Sequence, residues 1–448
     1  MRSYKVQLSI LLIFFTISLS SAQYAQVLPL RERAALQDSI LKERMNTVLP
    51  SLMERTGIDM WVIISREFNE DPIIKTMLPS TWLNARRRTM LVIYQEKPGS
   101  PLQNFAVARY NVGELFRKSW DPEKQPNQWK RLMELIDEKQ PTKIGLNFSE
   151  TFALADGINK TEYELFMKHL PSKYKKNVVS AEKLGVAWLE TRSATEQVLY
   201  EQLCKLAHQI IAKGFSTEAI TPGFTTTDDL VWWYRQEINN LGLDTWFHPT
   251  VDIQRADPES FDHLRSFSKR PDKQTILPGD LLHVDFGISY LGLNTDTQQH
   301  AYVLKPDEKA IPDYLMDAFE KGRKVQDHLT AQFKTGNTGN EMLAAALKEA
   351  KEAGLKPTIY THPIGFHGHA AGPTIGLWDQ QGGVPGSGDY PLYPNTAYSI
   401  ELNAAVYIEK WKKEIRIMLE EEAFFDGERI YYIDGRQEAI YAIPRSNR

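Results

Sequence analysis

Leu277–Asp296, L-P-G-D-L-L-H-V-D-F-G-I-S-Y-L-G-L-N-T-D, is the stretch that decides how the chain folds. A proline–glycine turn precedes an apolar run, which predicts a buried strand that ends near Asp285. Asp296 lies eleven residues after Asp285, with two glycines between them, so a short hairpin would bring the two carboxylates together. Paired carboxylates repel each other unless a cation lies between them, and divalent metal ions are the usual partner. The stretch therefore predicts a hairpin that carries two metal ligands.

A cluster of histidines lies downstream of the aspartates. The segment Thr361–Gly372, T-H-P-I-G-F-H-G-H-A-A-G, holds His362, His367 and His369, three of the ten histidines in the chain. Neutral imidazoles bind Zn, Mn or Co. A lone histidine is more often a satisfied polar group, but three so close together favour a metal site or a catalytic site.

Two sets of glutamates follow, each within an apolar, strand-like run. Glu401 lies between Ile400 and Leu402, where an unpaired acid would be costly to bury. The triplet Glu420-Glu421-Glu422 follows another apolar run, and strand alternation would turn one or two of its members inward. A solvated, charged turn is the alternative interpretation of the triplet.

Outside these segments, the chain reads as a globular protein of two domains. Its 448 residues are 42% hydrophobic and 25% charged, and the net charge of −4 gives no sign of a nucleic-acid partner. Strand-like and helical patterns alternate over residues 23–180, which predicts a smaller α/β domain. A long amphipathic helix over Arg192–Phe215 begins a different pattern. All of the candidate catalytic and metal-binding residues lie within residues 181–448.

Residues 1–22 have the pattern of a cleaved secretory signal. Arg2 and Lys5 precede the apolar run Ser9–Ser20, and small residues follow it. The alternative is an uncleaved N-terminal anchor. The interpretation predicts a secreted or periplasmic protein that is free of the membrane after cleavage. Cys204 is the only cysteine and lies in an apolar helical pattern, which predicts a buried thiol.

The order Asp, Asp, His, Glu, Glu resembles the dinuclear metal site of the pita-bread metallopeptidases. This is the creatinase/aminopeptidase P/methionine aminopeptidase family, and the chain looks most similar to its Xaa-Pro aminopeptidase and prolidase members. The resemblance covers about Arg192 to the C-terminus. It implies an α+β fold, with a C-terminal pita-bread (creatinase-like) domain at residues 181–448. The preceding α/β domain, residues 23–180, is similar to the family in layout only.

The resemblance also implies a set of metal ligands for two divalent ions, Mn, Co or Zn. Asp285 would bind one ion and Asp296 would bridge both. His362 and Glu401 would bind the second ion, and a glutamate of the triplet would be the other bridge. Glu420 is the favoured member, although it lies two residues later than the family pattern predicts, and Glu421 and Glu422 stay open.

The catalytic residues implied by the resemblance are His369, Glu401 and His263. His369 would contact the substrate or the tetrahedral intermediate, and Glu401 would carry a proton towards the leaving nitrogen. His263 would be the other active-site histidine, although its spacing is several residues too long. An alternative register makes His369 the metal ligand and leaves Gly376 where a second histidine belongs.

The function implied is metal-assisted hydrolysis of short peptides, with Xaa-Pro bonds as the favoured substrate, by a chain that could form a homodimer. Two alternatives stay open: a peptide-binding protein of the same fold without catalysis, and a metal-free amidinohydrolase resembling creatinase. The chain departs from the family at Leu402-Asn403, where Pro-Gly is familiar, at Thr297–His300, and at the inserted loop Gln380–Gly388. These departures affect the expected substrate preference more than the expected metal binding.

Overall fold

The computed structural model describes residues 26–257 and 273–444 of the chain. The predicted signal segment, residues 1–22, and the candidate catalytic histidine His263 lie outside this described part. Within it, helices and sheets are mixed, so the α+β prediction is confirmed. Its strands form one sheet in the N-terminal part and four sheets in the C-terminal part.

A six-stranded mixed sheet is the centre of the N-terminal part. Its strands are β1 (Met60–Arg66), β2 (Arg88–Tyr94), β3 (Gln103–Val107), β4 (Arg117–Lys118), β5 (Ile144–Leu146) and β6 (Val178–Ser180). Their order across the sheet is β4-β3-β2-β1-β5-β6. In β1, Trp61 and Ile63 pack into one apolar cluster, whereas Met60, Val62 and Ile64 pack into another. Successive side chains of a strand point to opposite faces, so a strand that is apolar throughout is buried on both.

Helices cover this sheet. They are α1 (Leu30–Glu43), α2 (Leu49–Thr56), α3 (Pro72–Lys75), α4 (Gln128–Lys139), α5 (Lys160–His169) and α6 (Glu182–Glu190). A π-helical segment, Arg44–Val48, joins α1 to α2, so a helical stretch that is widened at its centre runs over residues 30–56. The wide turn comes just before Pro50, which lacks the N–H that a regular α-helix needs at this point.

The C-terminal part surrounds its sheets with longer helices. The helices are α7 (Ala194–Gly214), α8 (Thr227–Asn240), α9 (Asp313–Thr330) and α10 (Gly339–Glu352). The strands up to the histidine segment are β7 (Thr250–Gln254), β8 (Leu281–Phe286), β9 (Ser289–Tyr290), β10 (Leu293–Asn294), β11 (Thr297–Val303), β12 (Pro357–Ile359) and β13 (His362–Ile364). The later strands are β14 (Thr396–Ser399), β15 (Leu402–Ile408), β16 (Lys413–Leu419), β17 (Glu422–Phe425), β18 (Ile430–Tyr432) and β19 (Tyr441–Ile443).

Three sheets of this part position the candidate site. Their strand orders are β19-β11-β8-β7, β13-β14-β17-β18 and β12-β15-β16. In β8, Leu282, Val284 and Phe286 pack with α7 and α8 in one apolar cluster. His283 and Asp285 alternate with these residues, so they point to the opposite face of the sheet. The candidate metal ligand Asp285 therefore lies on the polar face of β8, whose other face is part of the core.

The prediction for Cys204 is confirmed, since its thiol is buried in α7 among the apolar residues of this core. Among the described residues, no helix combines the length and the apolar character that a bilayer crossing requires.

Candidate metal centre

The two predicted aspartate ligands lie at the two ends of a hairpin. Asp285 is in β8, Asp296 immediately precedes β11, and these two strands pair antiparallel. At the tip, between β9 and β10, Leu291 and Gly292 have φ angles of 53° and 81°. Two consecutive positive φ angles are typical of a two-residue type I′ turn, which glycine accepts without steric cost. The predicted hairpin is confirmed.

The strand register sets Asp285 in a row of polar side chains. Asp285 lies directly opposite Gln298 of β11, and Gln298 forms a β-bridge on its other side with Glu420. Residues directly opposite each other in an antiparallel pair have side chains on the same face, about 5 Å apart. Glu420 therefore shares a sheet face with Asp285, although 135 positions separate the two in sequence.

The pairing of β13 with β14 positions the other two predicted ligands. His362 begins β13 and pairs with Ser399 of β14, and Glu401 follows two residues later. The hydroxyl of Ser399 donates to Glu420 Oε1 at 2.7 Å and contacts the main-chain oxygen of Asp296 at 2.9 Å. This serine joins the second sheet to the aspartate hairpin.

The structure brings all five predicted metal ligands together. Their donor atoms form two triads, each with all of its atoms within 4.8 Å of one another: Asp285 with Asp296 and Glu420, and His362 with Glu401 and Glu420. Glu420 belongs to both triads. The triads are further connected by His362 Nε2, which lies 3.6 Å from Asp296 Oδ2 and 3.5 Å from Glu420 Oε1. Two triads that share a carboxylate are the arrangement that two adjacent ions need.

Four carboxylates in one buried cluster are electrostatically costly. Burial, together with the charges of Glu420, Asp285 and Glu401, raises the pKa of Asp296 well above its usual range. Burial and the charge of Glu420 likewise raise the pKa of Glu401 well above its usual value. Burial raises the pKa of Glu420 to about 7. Each shift disfavours the charged form, and a cation among the oxygens would offset it.

The surroundings of His362 keep its imidazole neutral, which is the form that binds a metal ion. Burial lowers the pKa of its imidazole to about 4, and Nδ1 lies 3.0 Å from the carbonyl oxygen of Pro363. A neutral imidazole that donates from Nδ1 has a lone pair on Nε2. That buried Nε2 has no hydrogen-bond partner among the described residues. Its distances of 3.5–3.6 Å to carboxylate oxygens are longer than a hydrogen bond. They are close to the spacing of metal ligands, because two ligand atoms about 2.1 Å from a shared ion lie roughly 3.0–3.5 Å apart. One imidazole and four carboxylates thus fit divalent ions.

The glutamate triplet differs from its prediction. All three side chains are buried, whereas strand alternation predicted one or two inward and the alternative placed them in a solvated turn. Alternation fails because Glu420 and Glu421 lie between β16 and β17, which belong to different sheets. Glu421 Oε2 lies 2.7 Å from His208 Nε2, and Glu422 Oε1 accepts the main-chain N–H of Asp296 at 2.5 Å. Glu420 is the member that belongs to both ligand triads.

His369 lies at the mouth of the cluster, exposed to solvent. Its ring centroid is 4.7 Å from that of His362, 5.1 Å from Trp246 and 5.8 Å from Tyr360. One of its nitrogens also lies within 4.8 Å of donor atoms of Asp296 and His362. The alternative register would need a histidine at position 376, but a Cβ there would lie 2.3 Å from the carbonyl oxygen of Ile359.

The histidine segment packs against charged residues that have no signal in the sequence. The ring of Phe366 lies between the guanidinium groups of Arg44 and Arg192, at 4.8 Å and 4.7 Å from its centroid. Both arginines pair with Glu196, at 2.5 Å and 3.3 Å. Buried charges that are paired and hydrogen-bonded hold their neighbours in one arrangement. A widely spaced Arg–Glu–Arg combination carries no local sequence signal.

The fold and the cluster together define a class, that of metal-dependent hydrolases with the pita-bread fold. The chain belongs to metallopeptidase family M24, whose sequence pattern matches residues 199–422, half of the chain. The family resemblance stated from the sequence is confirmed. No curated protein matches the chain by sequence.

Solved structures share the fold over nearly the whole chain. The X-Pro aminopeptidase of Thermotoga maritima MSB8 matches with a TM-score of 0.59 at 15% identity, covering 87% of this chain and 99% of that chain. The Xaa-Pro dipeptidase of Bacillus anthracis matches with a TM-score of 0.54 at 16% identity, covering 91% of this chain and 99% of that chain. The prolidase of Pyrococcus horikoshii OT3 matches with a TM-score of 0.54 at 15% identity, covering 90% of this chain and 100% of that chain. These similarities include the N-terminal part, which the sequence related to the family only in layout.

Proposed function

We propose that this protein hydrolyses short peptides at Xaa-Pro bonds with the help of two divalent metal ions. The observation that carries the proposal is the pair of triads around Glu420, in a chain of metallopeptidase family M24. The names of three structural neighbours, an X-Pro aminopeptidase, an Xaa-Pro dipeptidase and a prolidase, support the choice of Xaa-Pro substrates. Mn, Co and Zn are the candidate ions.

Each residue of the cluster has a role in this proposal. Asp285, Asp296 and Glu420 would hold one ion, and His362 and Glu401, together with Asp296 and Glu420, would hold the other. Bound divalent ions lower the pKa of a water molecule and polarise a carbonyl group. Glu401 would accept the proton of the attacking water and pass it to the leaving nitrogen.

The mouth of the site supplies contacts for the substrate. His369, exposed beside the cluster, would donate a hydrogen bond to the scissile carbonyl oxygen as negative charge develops there. Trp246 and Tyr360 flank His369 and are half-buried, so each has an exposed part of its ring to offer. A proline ring in the substrate would pack against these aromatic faces.

A panel of peptides tests the function. We expect the purified protein to release the N-terminal residue from Xaa-Pro dipeptides or tripeptides when Mn or Co is added, and to lose this activity on chelation. Matched Xaa-Ala peptides are the control, and we expect them to be cleaved at least about tenfold more slowly because they lack the ring. Equal rates for both series would contradict proline selectivity.

The same panel separates the two alternative functions. Peptide binding and metal binding without any hydrolysis would identify a binding protein of this fold. Release of urea from creatine without a metal ion would identify an amidinohydrolase. The donor set argues against the second alternative, because four buried carboxylates need a cation to share.

We further propose that the protein is exported and that residues 1–22 are removed. The positive residues and the apolar run in this segment support the proposal. N-terminal sequencing of the protein recovered from its native host is expected to begin at Gln23. Recovery of the full chain with Met1 in the membrane fraction would instead indicate an uncleaved anchor.

A further inference from the structure

Gln298 lies between metal-ligand positions in the sheet. It is directly opposite Asp285 in the β8–β11 pair, and two main-chain hydrogen bonds connect it to Glu420, at 3.0 Å and 3.2 Å. Its side chain therefore shares a face with a carboxylate on either side. It also belongs to the stretch Thr297–His300, where the chain departs from the familiar family pattern.

The carboxamide of Gln298 donates to two of the proposed ligands. Nε2 lies 2.9 Å from Glu401 Oε1 and 2.6 Å from Glu420 Oε2. A primary amide has two N–H groups, so each hydrogen can serve one carboxylate. The opposite oxygen of Glu420, Oε1, accepts from the hydroxyl of Ser399 and faces His362. Gln298 and Ser399 together fix both oxygens of the carboxylate that the two triads share.

His283 contacts the oxygen of the carboxamide. Its Nε2 lies 2.9 Å from Gln298 Oε1, which can only accept, so His283 carries a hydrogen on Nε2. The reversed amide would direct its oxygen at two carboxylates, so Glu401 and Glu420 set the orientation of the amide, and His283 holds its oxygen. His283 is in turn opposite Asp252, with Nδ1 3.6 Å from Oδ2. The side chain of Gln298 is buried, so solvent competes little for these contacts.

We propose that Gln298 is a positioning residue of the metal centre, which aims Glu401 and Glu420 at the ions and whose own amide oxygen is held by His283. This inference rests on the proposed function, because it requires that the two glutamates bind metal. The amide holds one oxygen of each glutamate, so it restrains the orientation of both carboxylates. A neutral donor also restrains the carboxylates without adding charge beside the metal. Partners of this kind typically change metal affinity by about 10–100-fold when they are removed.

The test compares Gln298→Leu with Gln299→Leu. Leucine approximates the size of glutamine and removes its hydrogen bonds. Gln299 is the matched control, since it is adjacent, buried and also donates to a buried glutamate, Glu421 Oε1 at 2.9 Å. Calorimetry would give the affinity of each variant for Co²⁺ and Mn²⁺. The visible absorption spectrum of the Co²⁺ form would report the ligand geometry around the ion. Thermal melting of the metal-free proteins monitors folding.

We expect Gln298→Leu to bind Co²⁺ about 10–100-fold more weakly than wild type and to have an altered spectrum. Gln299→Leu should keep wild-type affinity and spectrum. Gln298→Asn, which keeps the amide but is too short to reach both glutamates, should be intermediate, and it decides the question if the leucine variant does not fold. Unchanged affinity and spectrum in the folded Gln298 variants would overturn the inference. Absence of metal binding by wild type would instead overturn the proposed function.

Discussion

Replacement of Asp296 by asparagine is expected to abolish peptide hydrolysis while leaving the protein folded. Asp296 lies in one ligand triad with Asp285 and Glu420, and its Oδ2 is 3.6 Å from His362 Nε2. An amide of the same shape lacks the charge that a bridging ligand supplies. Loss of a bridge removes several kcal/mol of transition-state stabilisation, so kcat should fall by at least about a thousandfold.

The fold should survive because the substitution removes a repulsive charge. Burial and neighbouring carboxylates raise the pKa of Asp296 well above its usual range, so the metal-free protein does not depend on the charged form. Thermal melting of the metal-free variant should therefore equal or exceed that of metal-free wild type. Metal content after dialysis and steady-state kinetics complete the measurement.

Asp280→Asn is the matched control for this substitution. Asp280 is also buried and lies one residue before β8, but it pairs with Arg255 at 2.7 Å and belongs to neither triad. We expect it to lower stability by about 1–3 kcal/mol, because Arg255 loses a charged partner, and to leave kcat and metal content near wild type. Wild-type turnover by Asp296→Asn would rule out the proposed site.

The second large effect expected is a loss of stability on metal removal that grows with pH. In the metal-free protein, burial raises the pKa of Glu420 to about 7 and the pKa of Glu422 to about 8. Glutamate in an unfolded chain has a pKa of about 4.3. A carboxyl with a raised folded pKa contributes its full stability below the unfolded pKa and loses it as pH rises through the folded pKa. The free energy of unfolding of the chelated protein should thus fall by several kcal/mol from about pH 4.3 to pH 8.

Chemical denaturation with a chelator and with saturating Mn²⁺, at matched pH values, measures this effect. Metal binding requires deprotonated ligands, so the stability difference between the two forms should widen as pH rises. Burial also raises the pKa of Glu190, outside the site, to about 8. Glu190 and Glu422, neither of which belongs to the two ligand triads, titrate in both forms, so only the stability difference between the chelated and the metal-bound protein reports on the metal centre. A difference that stays constant across this pH range would contradict the prediction.

Parts of the site could be predicted because their signal is local in sequence. The Asp285–Asp296 hairpin needs only an apolar strand, two glycines and a return strand, and its turn has the expected positive φ angles. Glu401 could be selected because an acid inside an apolar run requires a partner, and His362 because three histidines cluster within one short segment. Strand alternation did not predict the burial of the glutamate triplet correctly. Alternation assumes one continuous strand, whereas the chain changes sheets within the triplet.

The sequence alone thus determined the fold class, the family resemblance and the candidate ligands, because hydrophobic periodicity and motif order follow from neighbouring residues. The tertiary structure decided which glutamate of the triplet joins both triads, and it revealed Gln298 between Asp285 and Glu420. Those relations depend on the register between strands far apart in the chain. Register arises from the packing of whole sheets, and no local pattern specifies it across such separations.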